Sequence, residues 1–410
     1  MVKACSAIAL LALVSLLLPL AGSAPASDWL TWGYDQERSG WNRAETTLSK
    51  ENVSSLALQW SAQLPTTPRE IALSTLTAPL VVEGVTTSQG RRTLVFVVGS
   101  DDTVFAIDAD SGKTVWEKAF PNTLTPHQTA TWLCSNTQNS TPVIDKQKGI
   151  IYLNTSDGNL RGLSLSTGAE RMTPAEFVTP FARNWSLNLI DDVIYSPTAR
   201  GCGGAIANIS AMDVRDPGGP PSKSAPPFKF SYGDAPRGSV MAFQVSGEDD
   251  KLSLIPMWIS RDMHVPDPPV VANGVVYAIQ TGENTVQNPR PGGDVRGDPT
   301  AAGGVARGGQ AAQAGQTGSA QGTVPGAGRG GPGGGGGAAA AASAQAAATF
   351  RATPVSNLVL YAFDAETGKQ LYSSEKIIPG WVHYGEPVVA AGKVFVVTWD
   401  AHVYAFGLKK

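Results

Sequence analysis

A short unit recurs along the chain, and a recurring unit decides architecture before any single strand is assigned. Five apolar segments open it: Ala78 to Val82, Thr141 to Asp145, Ser186 to Ile190, Pro268 to Ala272 and Glu386 to Ala390. A second apolar run follows each one, at Leu94 to Val98, Ile150 to Asn154, Val193 to Ser196, Val275 to Ile279 and Val394 to Thr398. Third runs lie at Val104 to Ile107, Leu160 to Leu165, Ser239 to Phe243, Val359 to Phe363 and Val403 to Phe406. Apolar and polar residues alternate in these runs, which is the period of a half-buried strand.

The third strand runs into a turn with a glycine, as in Asp108-Ala109-Asp110-Ser111-Gly112, Ser166-Thr167-Gly168 and Asp364-Ala365-Glu366-Thr367-Gly368. A fourth strand with a large aromatic, Val115-Trp116 or Leu371-Tyr372, completes the unit. Leu187 follows Pro142 by 45 residues, a spacing that suits one propeller blade. Four strands of this length cannot bury both faces alone, so the units must stack about an axis. The expected fold is therefore all-β: a β-propeller of four-stranded antiparallel blades, with five repeats visible. Ala57 to Ser61 reads as a fourth strand without a preceding three, and the last repeat ends without its own. Pairing the two closes the ring through the N-terminal strand and removes a sheet edge.

Residues 1–26 read as a signal peptide. Lys3 supplies the positive end, Ile8 to Leu20 the apolar run, and Ala24 and Ala26 an A-x-A site, with cleavage after Ala26 or alternatively Ala24. The apolar run is shorter than the ~20 residues a membrane span needs, so no membrane insertion is expected after cleavage. The destination is periplasmic or secreted. Two cysteines remain beyond the leader, Cys134 and Cys202. In an oxidising compartment they make a disulfide; a reactive thiol would need a neighbouring base. A net charge of −3 with 16% charged residues makes no field to gather polyanions, so nucleic acid is excluded as a partner.

Residues 27–410 then form the propeller, with two insertions. The first, at about 198–237, carries Cys202 and a Pro/Gly-rich run. The second, at about 288–349, is nearly all Gly, Ala, Gln and Pro, too poor in apolar area to offset its chain entropy, and is expected to be disordered.

Aligned repeats place Asp101, Asp157, Glu283 and Asp400 just after the second strand of different blades. Carboxylates there can face the channel and converge on a cation or polar ligand, or bond locally within the turn. Trp381, His383, Tyr384 and Glu386 gather ahead of the last repeat, where aromatic and polar groups either hold a flat ring or pack blade to blade. Arg183-Asn184-Trp185 and Trp399-Asp400 carry the same two readings. The four histidines form no H-x-x-x-H pair, and the chain has no nucleophile elbow, phosphate loop or dinucleotide fingerprint.

The A-x-D-x-x-S/T-G-x-x-x-W pattern from Ala106 to Trp116 and from Ala362 to Tyr372, with Tyr replacing Trp, resembles the pyrroloquinoline-quinone repeat. Trp32-Gly33-Tyr34-Asp35, with Leu48 to Val53 and Leu58-Gln59-Trp60, is similar to the start of quinoprotein alcohol dehydrogenases. The resemblance implies the propeller fold, and it extends to the propeller lipoprotein of the outer-membrane assembly machine. It also implies pyrroloquinoline quinone with calcium as a possible cofactor. Asp101, Asp157, Glu283, Asp400, Trp381 and His383 are the channel-facing candidates to bind it. This chain has fewer repeats than those dehydrogenases have blades, and no Cys-Cys pair. The expected role is thus a binding or scaffolding module for a protein partner or small polar ligand. The alternative is a quinone-dependent dehydrogenase, or a truncated relative, oxidising an alcohol or sugar.

Overall fold

A computed structural model describes residues 27–66, 75–126, 135–137, 140–197, 228–233, 235, 238–246, 253–283, 357–383 and 385–409. These residues are strands and turns, with one short 3-10 turn at Val53–Ser55. Repeat one is a four-stranded antiparallel sheet of Leu80–Thr87, Gly90–Val98, Thr103–Asp108 and Thr114–Ala119. Repeat two has the same order in Val143–Asp145, Ile150–Asn154, Asn159–Ser164 and Ala175–Glu176. Repeat four is Val270–Ala272, Val275–Gln280, Val359–Asp364 and Gln370–Ser373, with Trp41–Asn42 added in parallel at its first strand. Repeat five is Val388–Ala390, Lys393–Val397 and His402–Leu408. Its fourth strand is Leu56–Gln63, which pairs antiparallel with His402–Leu408, Leu56 opposite Leu408 and Gln63 opposite His402.

Repeat three departs from the expected sheet. Its first two strands, Asn188–Ile190 and Val193–Tyr195, make a hairpin by themselves. Met241–Ser246 and Ser253–Ile259 pair in a separate sheet, with Phe230–Ser231 alongside. Insertion length is not the cause, because the strands of repeat four pair across a longer gap. Burial is what differs. Val275 to Ile279 and Leu360 to Phe363 are core residues, whereas Val193, Tyr195, Met241 and Phe243 remain exposed, so no shared apolar face holds the two halves of repeat three in register.

One cross-strand pair recurs. Ala106 lies opposite Trp116, Ala242 opposite Trp258, Ala362 opposite Tyr372 and Ala405 opposite Trp60. A small residue on the third strand makes room for the ring on the fourth, and the ring then reaches the following repeat. Trp60, Trp116 and Trp258 each donate their indole N–H to a carbonyl there, at Ala109, Leu165 and Ala365, over 3.0, 2.9 and 2.9 Å. Tyr372 meets the Phe406 ring of repeat five edge-on at 6.4 Å. The aromatic that marks the fourth strand in the sequence is therefore a strut between repeats.

Candidate functional site

The first strand of each repeat has an open edge of N–H and C=O groups, which must be paired where water is excluded. Residues 29–45 pair them. Trp29 exchanges both backbone hydrogen bonds with Val81 of repeat one, at 2.8 and 2.9 Å, and the Leu30 carbonyl accepts from Ile144 of repeat two at 2.9 Å. At the start of repeat three the Leu187 carbonyl accepts from the Thr31 hydroxyl and the Arg38 guanidinium, at 3.1 and 2.8 Å. In repeat four the Gly40 carbonyl accepts from Val271 at 2.7 Å. In repeat five the Asn42 amide donates to Val389 at 2.8 Å, and the Glu45 carboxylate accepts from Gly392 at 2.9 Å. One segment thus bonds to the first strands of four sheets and to the hairpin Asn188–Ile190 and Val193–Tyr195. Sequence reasoning registered Trp32 to Asp35 only as a family likeness and missed this contact, which joins residues hundreds of positions apart.

A buried polar cluster anchors the loop of this segment to repeats four and five. Glu386 accepts the Gly33 N–H at 2.8 Å, Asp267 accepts the Gly385 N–H at 2.9 Å, and Glu283 pairs with His383 Nδ1 at 2.7 Å. Burial pushes the Asp267 carboxyl up to about 7, with the Gly385 N–H pulling against it and the Glu283 charge adding to it. Burial also pushes Glu386 up to about 7, opposed by the Gly33 N–H and Arg38 and reinforced by Asp267. Such groups can hold or release protons near neutral pH. Asp267 carried no sequence signal, because its partners come from repeat five.

The candidate carboxylates separate into two kinds. Asp101 accepts from the Thr103 N–H at 3.2 Å. Asp157 is held by the Thr155 hydroxyl, the Asn159 N–H and Arg161, at 2.6, 3.1 and 2.9 Å. Asp400 takes the Thr398 hydroxyl at 2.6 Å and lies 3.1 Å from His402. These three bond within their own turns. Glu283 and His383 alone are brought together, away from the surface. Trp381 is fully buried and stacks on Trp399 at 5.4 Å, and Arg183 lies 5.0 Å from the Trp185 ring. Asp102, which the sequence did not single out, is fully buried and accepts the Ser156 N–H at 2.9 Å, tying the equivalent turns of repeats one and two. Cys134, Cys202, His127 and Tyr384 lie outside the described residues.

The resemblance implies a planar polyanionic quinone held with calcium, and calcium wants six to eight oxygen ligands. Among the described residues no group of three or more His, Cys, Asp and Glu is placed to hold a metal ion. The inner strand edges are hydrogen-bonded to residues 29–45 and the turn carboxylates to their own turns. The described residues do not fit that pair.

Residues 44–203 match the family model described as outer membrane protein assembly factor BamB. The match is to a model of the pyrroloquinoline-quinone repeat and covers 160 of the 410 residues. Among solved structures this repeat protein is similar to a quinohemoprotein alcohol dehydrogenase from Pseudomonas putida HK5, at 12% identity over 92% of this chain and TM-score 0.32. It spans 47% of that chain, about half its length. It is also similar to BamB from Moraxella catarrhalis, at 12% identity over 86% of this chain and 98% of that one, TM-score 0.23. The WD40 β-propeller domain of Doa1 matches at 11% identity over 86% and 98%, TM-score 0.31. No curated protein matches the sequence.

Proposed function

We propose that this repeat protein is an exported five-bladed propeller that acts as a binding or scaffolding module through its faces, not as a catalyst at its axis. One observation carries the reading: the first strands of four sheets and the repeat-three hairpin are hydrogen-bonded to the chain's own residues 29–45. Ring closure through Leu56–Gln63 is part of the proposal, supported by its pairing with His402–Leu408. On this reading Asp101, Asp157 and Asp400 serve as turn caps, and the buried Glu283 and His383 hold the blades together. The site then lies on the blade surfaces and takes a protein partner or a small polar ligand. One opening, of about 420 Å³, lies between the N-terminal segment and repeats two and three, with Asp28, Asp35 and Glu37 at its rim. An extracytoplasmic location, periplasmic or secreted, is supported by the leader pattern. No helix among the described residues is long and apolar enough to cross a membrane.

Calorimetric titration of the mature protein with pyrroloquinoline quinone and calcium, with dye-linked alcohol oxidation assayed on the same sample, tests this reading. No heat and no turnover is the expected result. Micromolar binding with turnover overturns it in favour of a quinone-dependent dehydrogenase.

A further inference from the structure

Ser27 is buried, and its backbone nitrogen lies 3.1 Å from the Glu83 carboxylate. Its hydroxyl donates to Glu45 at 3.0 Å and accepts from the Asn42 side-chain amide at 3.1 Å. The next residue, Asp28, accepts the Glu83 N–H at 2.8 Å and pairs with Lys146 at 2.6 Å. Three carboxylates, Asp28, Glu45 and Glu83, therefore surround the start of this segment, and Lys146 answers only Asp28. Among the described residues no cationic side chain pairs with Glu45 or Glu83. Glu45 is buried but accepts the Thr47, Leu48 and Gly392 N–H groups, whereas the partly exposed Glu83 carboxylate faces the Ser27 nitrogen, so a cation there gains a charged partner. The sequence offers one, because the A-x-A pattern puts a cleavage point after Ala26.

We propose that hydrolysis of the Ala26–Ser27 bond makes the mature N-terminus and that the new Ser27 ammonium is received by Glu83 as an ion pair. Water supplies the step and a leader peptidase of the export route catalyses it. The amide C–N bond breaks, Ala26 leaves as a carboxylate, and the Ser27 nitrogen, gaining protons, becomes a cation with three donors in place of one. Glu83 lies in the first strand of repeat one, and Glu45 and Asn42 already hold repeats four and five. Removal of the leader thus sets the last charge of the segment that joins the repeats, which links export to the final stability of the fold.

The test begins with intact mass and N-terminal sequencing of the exported protein. A chain beginning at Ser27 is expected; one beginning at Pro25 overturns the proposal. The α-amine of the folded chain is then labelled with an amine-selective reagent across a range of pH, which reads its pKa directly. The ion pair predicts a value above the ordinary ~8, and each unit of increase lowers the reactive fraction near neutrality about tenfold. Glu83→Gln, which keeps an acceptor but removes the charge, should label about tenfold faster than the wild type. An ordinary pKa in the wild type, or equal rates in a folded Glu83→Gln variant, overturns it. The wild-type pKa decides the matter alone if the variant does not fold.

Discussion

Gly368 shows how turn chemistry and packing meet at one residue. The Asp364 carboxylate accepts the Glu366 and Thr367 N–H groups, closing the turn, and Gly368 follows at φ +71°. A Cβ there would lie 2.6 Å from the Trp258 ring that docks on it. Gly368→Ala thus meets backbone strain and a clash together, and a loss of about 2 kcal/mol or more is expected in denaturant unfolding. The same carboxylate geometry closes the turn at Asp108, which accepts the Asp110 and Ser111 N–H groups and the Ser111 hydroxyl. Titration of Glu386 and Asp267 sets a second expectation. Both carboxyls rise from 4.5 and 3.8 in the unfolded reference to about 7 when folded, so the folded state holds their protons more tightly. Their contribution is fully present below about pH 4 and is lost as pH rises through about 7. Thermal unfolding should show a falling midpoint across this window, and Glu386→Gln, which keeps the Gly33 contact, should flatten the fall.

Among the elements, the strands that were easiest to read are those buried on both faces. Leu94 to Val98 and Val394 to Val397 are apolar runs that only a packed sheet accommodates, and both fall inside strands. Repeat three was legible as three short signals but not as two separate sheets, because its strands contain apolar residues without saying what covers them. The contrast is measurable. Leu360 is fully buried in repeat four, and Leu360→Ala should cost about 2–5 kcal/mol. Val193 in the hairpin of repeat three is 47% exposed, and Val193→Ala should stay within about 0.5 kcal/mol. Equal costs at the two positions, measured by denaturant unfolding, would show that the hairpin is packed after all.

On the scale of the molecule, an early strand and the last strand share one sheet. The strand Leu56–Gln63 covers the edge of His402–Leu408 and sends Trp60 into repeat one. A chain beginning after Gln63 would leave that edge unpaired and also lose residues 29–45 from the inner strands; it is expected to aggregate, measured by light scattering during refolding. Most of the strands, their alternation, the glycine turns, the aromatic of the fourth strand and the pairing of Ala57 to Ser61 with the last strand could be read from the amino-acid order. Each rests on a local period or on a repeat compared with itself. The contacts of residues 29–45 with five repeats, and the burial of Asp267, Glu283 and Glu386 beside one another, came only with the fold. They join positions far apart in the chain through backbone groups and desolvation, and neither leaves a periodic trace in the residues that supply them.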